Sequence, residues 1–215
     1  MSLTSQLKQP LPGKAAQFKM APYERIIQAA IKNFTLPFGG KATKPKPSAV
    51  LILFYQRKNE ICFSLILRNS YKGVHSAQVS FPGGKKELDE TLKETALRET
   101  EEEIGVKKEL IMIIGELSQL YIPPSGFLVQ PYVGYVKETP VFSPNPNEVN
   151  ILIEVPLKLI MDNTIAGKKK IKVGSNNIKI NYPFYNILGQ TVWGATAMML
   201  SELKEVLNRQ TENYQ

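Results

Sequence analysis

Cysteine and histidine are almost absent from this 215-residue chain, which has one of each, Cys62 and His75. A single cysteine cannot close an internal disulfide, and Cys62 lies in a strand-like run where a buried, inert thiol is expected rather than a nucleophile. A single histidine excludes a histidine-rich metal site and leaves His75 as the only base for any His triad within one chain. Carboxylates must therefore carry most of the acid, base or metal chemistry. Long apolar runs are missing too. The longest clean one, Ala49 to Tyr55, is far short of the roughly 18 to 20 residues of a membrane span, and Met1 to Pro10 lacks the apolar stretch of a signal peptide. The end Glu212-Asn213-Tyr214-Gln215 is not a peroxisomal tripeptide, so a soluble, cytoplasmic protein without a membrane partner is expected.

What is present is enough for one domain plus an extension: 43% of the residues are apolar, which supplies a core. The net charge is +8, but its distribution is uneven. Between Glu87 and Glu103, eight acids face only Lys93 and Arg98, a local charge of −6 that leaves +14 on the remainder. An acidic island in a basic chain is what a cation site facing a polyanionic substrate requires.

The pattern along the chain predicts a helix over Tyr23 to Phe34, then a Lys/Pro-rich linker from Lys41 to Pro47, whose three lysines are weak grounds for nucleic-acid binding. From Ser48 the pattern turns to strands. Ala49 to Gln56 and Ile61 to Arg68 read as a hairpin, Val79 to Pro82 as a short extended piece, and Glu90 to Ile104 as a helix ended by Gly105. Strands follow at Leu110 to Gly115, Val129 to Val136 and Glu148 to Glu154, with a short helix at Pro156 to Met161. A second hairpin joins Lys169 to Val173 with Ile178 to Tyr182, and a helix is expected over Thr191 to Asn208. Hairpins with few interspersed helices argue for an α/β fold of the α+β type, a mixed β-sheet flanked by helices. The expected division is an extension over 1–47, the main domain over 48–207 and a polar tail over 208–215.

Glu99, Glu102 and Glu103 stand at i, i+3 and i+4, so on a helix their carboxylates project from one side and can converge on a hard cation. Leu92, Ala96, Leu97, Thr100 and Ile104 form the neighbouring stripe. Glu99 and Glu103 fall at its edge and are the better inner ligands, whereas Glu102 lies further towards solvent. On helix pattern alone, a solvated acidic helix would explain the same residues.

The surrounding spacing points further. Gly84, five residues, Glu90, seven residues, then Arg98-Glu99, Glu102-Glu103 and Gly105 resembles the Nudix box, with Thr100 where that family has an aliphatic residue. The resemblance implies the Nudix fold, an α/β/α sandwich, and hydrolysis of a pyrophosphate linkage with Mg²⁺ or Mn²⁺. Glu99 and Glu103 would hold the ion, Glu102 would serve as a further ligand or as the base, Glu90 would support the site, and Arg98 would orient a glutamate. Gly83 and Gly84 would permit the tight loop, their amides being open to a phosphate. Glu148 is either another ligand or the base, or a surface glutamate opening a strand.

The flanks resemble one subfamily, the coenzyme A pyrophosphatases: Leu65 to Arg68, His75 to Gly84, Ser125-Gly126-Phe127, Asn147-Glu148-Val149 and Val192 to Ala197 come in the same order. Gly73, Ala77 and Ile66 depart from its signature. This resemblance implies cleavage of CoA or acyl-CoA to 3′,5′-ADP and 4′-phosphopantetheine, with Arg68, Lys72, His75, Gln78 and Lys85 as substrate contacts beside Gly83 and Gly84. His75 could instead cap its loop, and Phe81, Phe127 and Trp193 are expected in the core rather than stacked on a base. ADP-ribose or another nucleoside diphosphate derivative is the alternative substrate. A non-catalytic nucleotide- or RNA-binding module is the other class, but such modules lose box glutamates that are retained here. The expected partner is thus a small anionic molecule, with no nucleic acid, and a homodimer is compatible with the sequence.

Overall fold

The computed structural model describes residues 2–22, 44–69, 78–173 and 178–212. The helix expected over Tyr23 to Phe34 lies outside them. The centre is strand β1 (Lys46–Arg57), in which Ala49, Leu51, Leu53 and Tyr55 enter one apolar cluster while Ile52 and Phe54 enter another. A strand buried on both faces needs cover on both sides. β1 runs antiparallel to β2 (Glu60–Arg68) through the expected hairpin, whose Arg57–Glu60 closure starts the strand one residue earlier than predicted. On its other side β1 is parallel to β7 (Phe127–Tyr135).

The eight-stranded sheet follows the path β3-β2-β1-β7-β5, where β3 is Val79–Ser80 and β5 is Met112–Glu116. β4 (Gly83–Lys85) lies along β1, β6 (Leu120–Ile122) along β7 and β8 (Val149–Pro156) along β2. The mixed sheet is therefore as the pattern predicted, and β6 is a strand that the turn-rich sequence at Pro123 to Gly126 hid. Lys46 and Pro47, expected in a linker, are already strand, because they pair with Phe127 and Leu128 of β7.

Helix α1 (Leu3–Leu7), helix α2 (Lys14–Gln17), helix α3 (Leu92–Ile104), helix α4 (Leu157–Met161) and helix α5 (Gly194–Glu212) complete the described chain together with a second sheet. α3 covers one face through Ala96 and Ile104, and α5 covers the other through Met198, Leu203 and Val206. The second sheet is antiparallel: β9 (Ala166–Val173), β10 (Ile178–Ile187) and β11 (Gln190–Trp193). The predicted final helix thus starts at Gly194 rather than Thr191. Leu188 (φ 51°) and Gly189 (φ 83°) make a tight turn that folds Gln190 to Trp193 back onto Phe184 to Ile187 as a hairpin.

The start of the chain is sewn onto α5. Buried Glu202 accepts hydrogen bonds from Gly13 N (3.0 Å), Gln17 Nε2 (2.9 Å) and Ser118 N (3.2 Å), and Leu7 and Met20 join the α5 cluster. Cys62 is buried and unpaired, and burial raises its thiol above the ordinary value, which suits the inert role expected of it. Among the described residues no helix is long and apolar enough to cross a membrane.

Candidate metal and phosphate site

The site is assembled where α3 crosses β4. Thr91 caps α3 with a reciprocal capping box: its Oγ1 accepts from Glu94 N (3.2 Å) and its N–H donates to Glu94 Oε2 (2.7 Å). The helix consequently begins at Leu92, two residues later than predicted, and Glu90 precedes it. Gly105 closes the helix in the left-handed region at φ 75°. Thr100, the departure from the box pattern, is buried and returns its hydroxyl to Ala96 O at 2.7 Å, so the polar atom costs the interface little.

The expected ranking of the three glutamates holds for burial. Glu103 is fully buried, the Glu99 side chain is 14% exposed and that of Glu102 is 51% exposed. Burial raises the Glu103 carboxyl from 4.5 to about 7, against the opposing effects of Arg68 and the Gly83 amide, and burial also raises that of Glu99. Glu103 Oε2 accepts from Gly83 N at 2.8 Å, whereas the buried Oε1 carries no hydrogen bond among the described residues. Arg68 Nη1 lies 2.7 Å from that oxygen but off the axis a hydrogen bond needs, so the pairing is one of charge alone. The Glu99 carboxylate lies directly over Gly84: a Cβ there would stand 2.2 Å from Oε1 and 2.4 Å from Cδ.

Arg98 pairs with three glutamates. Its Nε and Nη2 grip the two oxygens of Glu90 (3.0 and 2.9 Å), Nη1 reaches Glu99 (3.1 Å) and Glu102 (2.9 Å), and Nη2 also reaches Lys85 O (3.3 Å). Those bonds hold the Glu90 carboxyl down at about 2. Glu90 is fixed in turn by Glu87 N (2.8 Å) and Thr95 Oγ1 (2.9 Å). It supports the site by aiming Arg98, which sets the aim of two box glutamates.

Glu148 arrives from a distant loop. Ser143 N and Asn145 N donate to Ile104 O (3.0 Å) and Glu103 O (2.9 Å), docking that loop on the end of α3, and Asn145 Nδ2 holds Glu148 Oε1 at 3.0 Å. Its charge reaches both Glu99 and Glu103 and helps raise their carboxyls. Sequence reasoning missed Asn145, which reaches Glu148 from this docked loop, and Thr95, whose hydroxyl holds Glu90 from the first turn of α3.

Several expected substrate contacts stand elsewhere. The Gly83 amide is engaged by Glu103, and Gly84 makes room for the Glu99 carboxylate. Arg68 faces Glu103. Gln78 is half-buried, and its carbonyl accepts from Arg68 N at 3.1 Å. Lys72 and His75 lie outside the described residues. Lys85 does line an open cleft of about 710 Å³, with Pro47, Lys86, Glu87, Leu88 and Glu99. Phe81 is fully buried as expected, while Trp193 is half-buried against Tyr182 at 5.0 Å and Phe127 is half-buried.

An all-oxygen donor set of buried carboxylates suits a hard divalent cation, and the unbonded, buried Glu103 Oε1 is the atom such an ion would satisfy. Among the described residues no three His, Cys, Asp or Glu side chains are gathered around one point, and these carboxylates are paired instead with Arg68 and Arg98.

The NUDIX domain profile matches residues 45–155. The Yersinia enterocolitica protein named "Uncharacterized Nudix hydrolase NudL" is 32% identical over 187 residues, 86% of this chain and 94% of that protein. In structure, the MutT protein from Methanosarcina mazei Go1 aligns with a TM-score of 0.52 at 19% identity, covering 79% of this chain and 99% of its own. A Nudix hydrolase from M. smegmatis, RenU, also aligns at 0.52 with 16% identity, covering 80% and 91%.

Proposed function

This chain belongs to the Nudix hydrolase family, whose members are pyrophosphohydrolases, and from that membership we propose that it opens the diphosphate of coenzyme A or an acyl-CoA at the α3 site. The products are 3′,5′-ADP and 4′-phosphopantetheine or its acyl form. The observation that carries the site is Glu103, a buried carboxylate with one oxygen left without a hydrogen bond beside Glu99. Glu99, Glu103 and Glu102 hold the ion, Mg²⁺ or Mn²⁺. When bound, it supplies charge neutralisation on the diphosphate and a more acidic water. The catalytic domain runs over 48–207.

The chain's own residues do the rest. Arg98 and Glu90 keep Glu99 and Glu102 aimed, and Gly84 leaves the space that the Glu99 carboxylate occupies. Lys85 and Lys86 at the cleft beside Glu99 present positive charge to a polyanion. Glu148 is the proton acceptor: it stands outside the arginine clamp that ties Glu102, and Asn145 orients it. Glu148→Gln is expected to lower kcat by about 10²-fold or more while leaving the Mn²⁺ dissociation constant unchanged. A weakened metal affinity with little change in kcat at saturating metal would make it a ligand instead.

The choice of CoA rests on the flanking segments, Phe81 to Gly84 and Val192 to Ala197 among them. A panel of CoA, acetyl-CoA, ADP-ribose and dinucleoside polyphosphates, assayed under Mg²⁺ and Mn²⁺, tests it. The expected result is a higher kcat/KM for CoA or acetyl-CoA than for ADP-ribose. A tenfold or greater preference for ADP-ribose would overturn the substrate and leave the family untouched.

A further inference from the structure

The two arginines at the site are held in opposite ways. Arg98 is locked, with Glu90 gripping it through two hydrogen bonds and Lys85 O adding a third contact. Arg68 is loose: among the described residues its guanidinium makes one hydrogen bond, to Gly83 O at 3.4 Å, and its approach to Glu103 Oε1 at 2.7 Å forms none. It also sits where β2 shifts register against β8, between Leu67 and Arg68, the kind of irregularity that re-aims a side chain. There a partly exposed guanidinium faces a fully buried carboxylate.

We propose that Arg68 is a displaceable counter-ion: in the metal-free protein its guanidinium balances the buried Glu103 carboxylate, and divalent metal takes Oε1 in exchange, releasing Arg68. This inference rests on the reading of Glu103 as a metal ligand. A buried carboxylate left alone is costly, so a site that must stay folded before it is loaded gains from a resident cation. A hydrogen bond along the Oε1 axis would have to be broken before metal could enter, whereas an off-axis charge contact need only move aside. Arg68 Nη1 already stands 2.7 Å from Oε1, so an ion entering there meets a like charge at close range, and the ion and Arg68 compete.

The competition gives one substitution two effects of opposite sign. In Arg68→Gln the metal-free protein loses its counter-ion, so at pH 8 its melting temperature falls below that of the wild type. Because the loaded state no longer uses Arg68, the gap narrows at saturating Mn²⁺. Calorimetric titration of Mn²⁺ into the metal-free full-length chain should therefore show a dissociation constant lower by roughly tenfold in Arg68→Gln. Arg68→Lys keeps the cation and should stay within about twofold of the wild type. If Arg68→Gln does not fold without metal, Mn²⁺ should restore the fold, and failure to restore it counts against the proposal. An unchanged or weaker Mn²⁺ affinity in Arg68→Gln, or an equal tightening in Arg68→Lys, overturns the exchange. Glu103→Gln, titrated alongside, separates the two levels: if it binds Mn²⁺ as the wild type does, the metal reading of Glu103 has failed rather than the exchange alone.

Discussion

Glu103→Gln is expected to reduce turnover by at least about two orders of magnitude while the chain still folds. The amide keeps the shape of the side chain, and its oxygen can still accept from Gly83 N, but it lacks the charge that a divalent cation requires. Glu101→Gln is the control. That carboxylate points away to Lys107 Nζ, 2.7 Å distant at the helix end, and its loss should be nearly silent. Similar activities of the two variants at saturating Mg²⁺ would remove the α3 carboxylates from the chemistry. The same substitution has a signature in stability. Glu103 titrates at about 7 in the folded chain against 4.5 ordinarily, so between those values the native state binds the proton more tightly than the unfolded one. Its contribution is complete below about 4.5 and is lost as pH rises through about 7, a span of roughly 3 kcal/mol. Metal-free wild type should therefore lose stability relative to Glu103→Gln over that window. Parallel stability curves, measured by denaturant melts from pH 4.5 to 8, would contradict the burial argument.

The adjacent glycines should fail in different ways when each is replaced by alanine. In Gly84→Ala the new Cβ would meet only the far end of a side chain, the Glu99 carboxylate at 2.2 Å. That carboxylate can swing away, so the fold should melt within a few degrees of the wild type. Displacing a metal-facing carboxylate by an ångström or more should still cost about 10²-fold in turnover. In Gly83→Ala the Cβ would meet backbone, Ala49 O at 2.3 Å and Val50 Cα at 2.6 Å, from a φ of 152° that side chains rarely adopt. Strand β1 cannot move aside without opening the sheet, so a loss of about 3 kcal/mol, roughly 10 °C in Tm, is expected. A Gly84→Ala enzyme with wild-type kcat would show that Glu99 is not held where the site needs it.

These contrasts mark how far the sequence could be read. The helix of glutamates was legible because its carboxylates lie within one local period, and Gly84, Glu90 and Arg98 fall at fixed distances from it in the chain. The mixed sheet was legible because the strand patterns come in hairpins with few interspersed helices. What the sequence hid depends on contacts between distant segments. Nothing local says that Asn145 docks on the end of α3 and carries Glu148 with it, or that the Gly83 amide turns to Glu103 rather than outward. The resemblance to the coenzyme A pyrophosphatases offers Arg68 as a substrate contact, and in the fold its guanidinium faces Glu103. Its approach to Glu103 joins β2 to α3, a contact that no single element encodes. The late start of α3 was readable, since Thr91 and Glu94 stand at capping-box spacing.

The most direct test of metal-dependent diphosphate cleavage at α3 is to incubate the purified chain with CoA and quantify products by chromatography, with Mg²⁺ and with excess chelator. The expected result is 3′,5′-ADP and 4′-phosphopantetheine in equal amounts with Mg²⁺, and neither with chelator or in Glu103→Gln. Equal product with and without metal, or from Glu103→Gln at the wild-type rate, would contradict it.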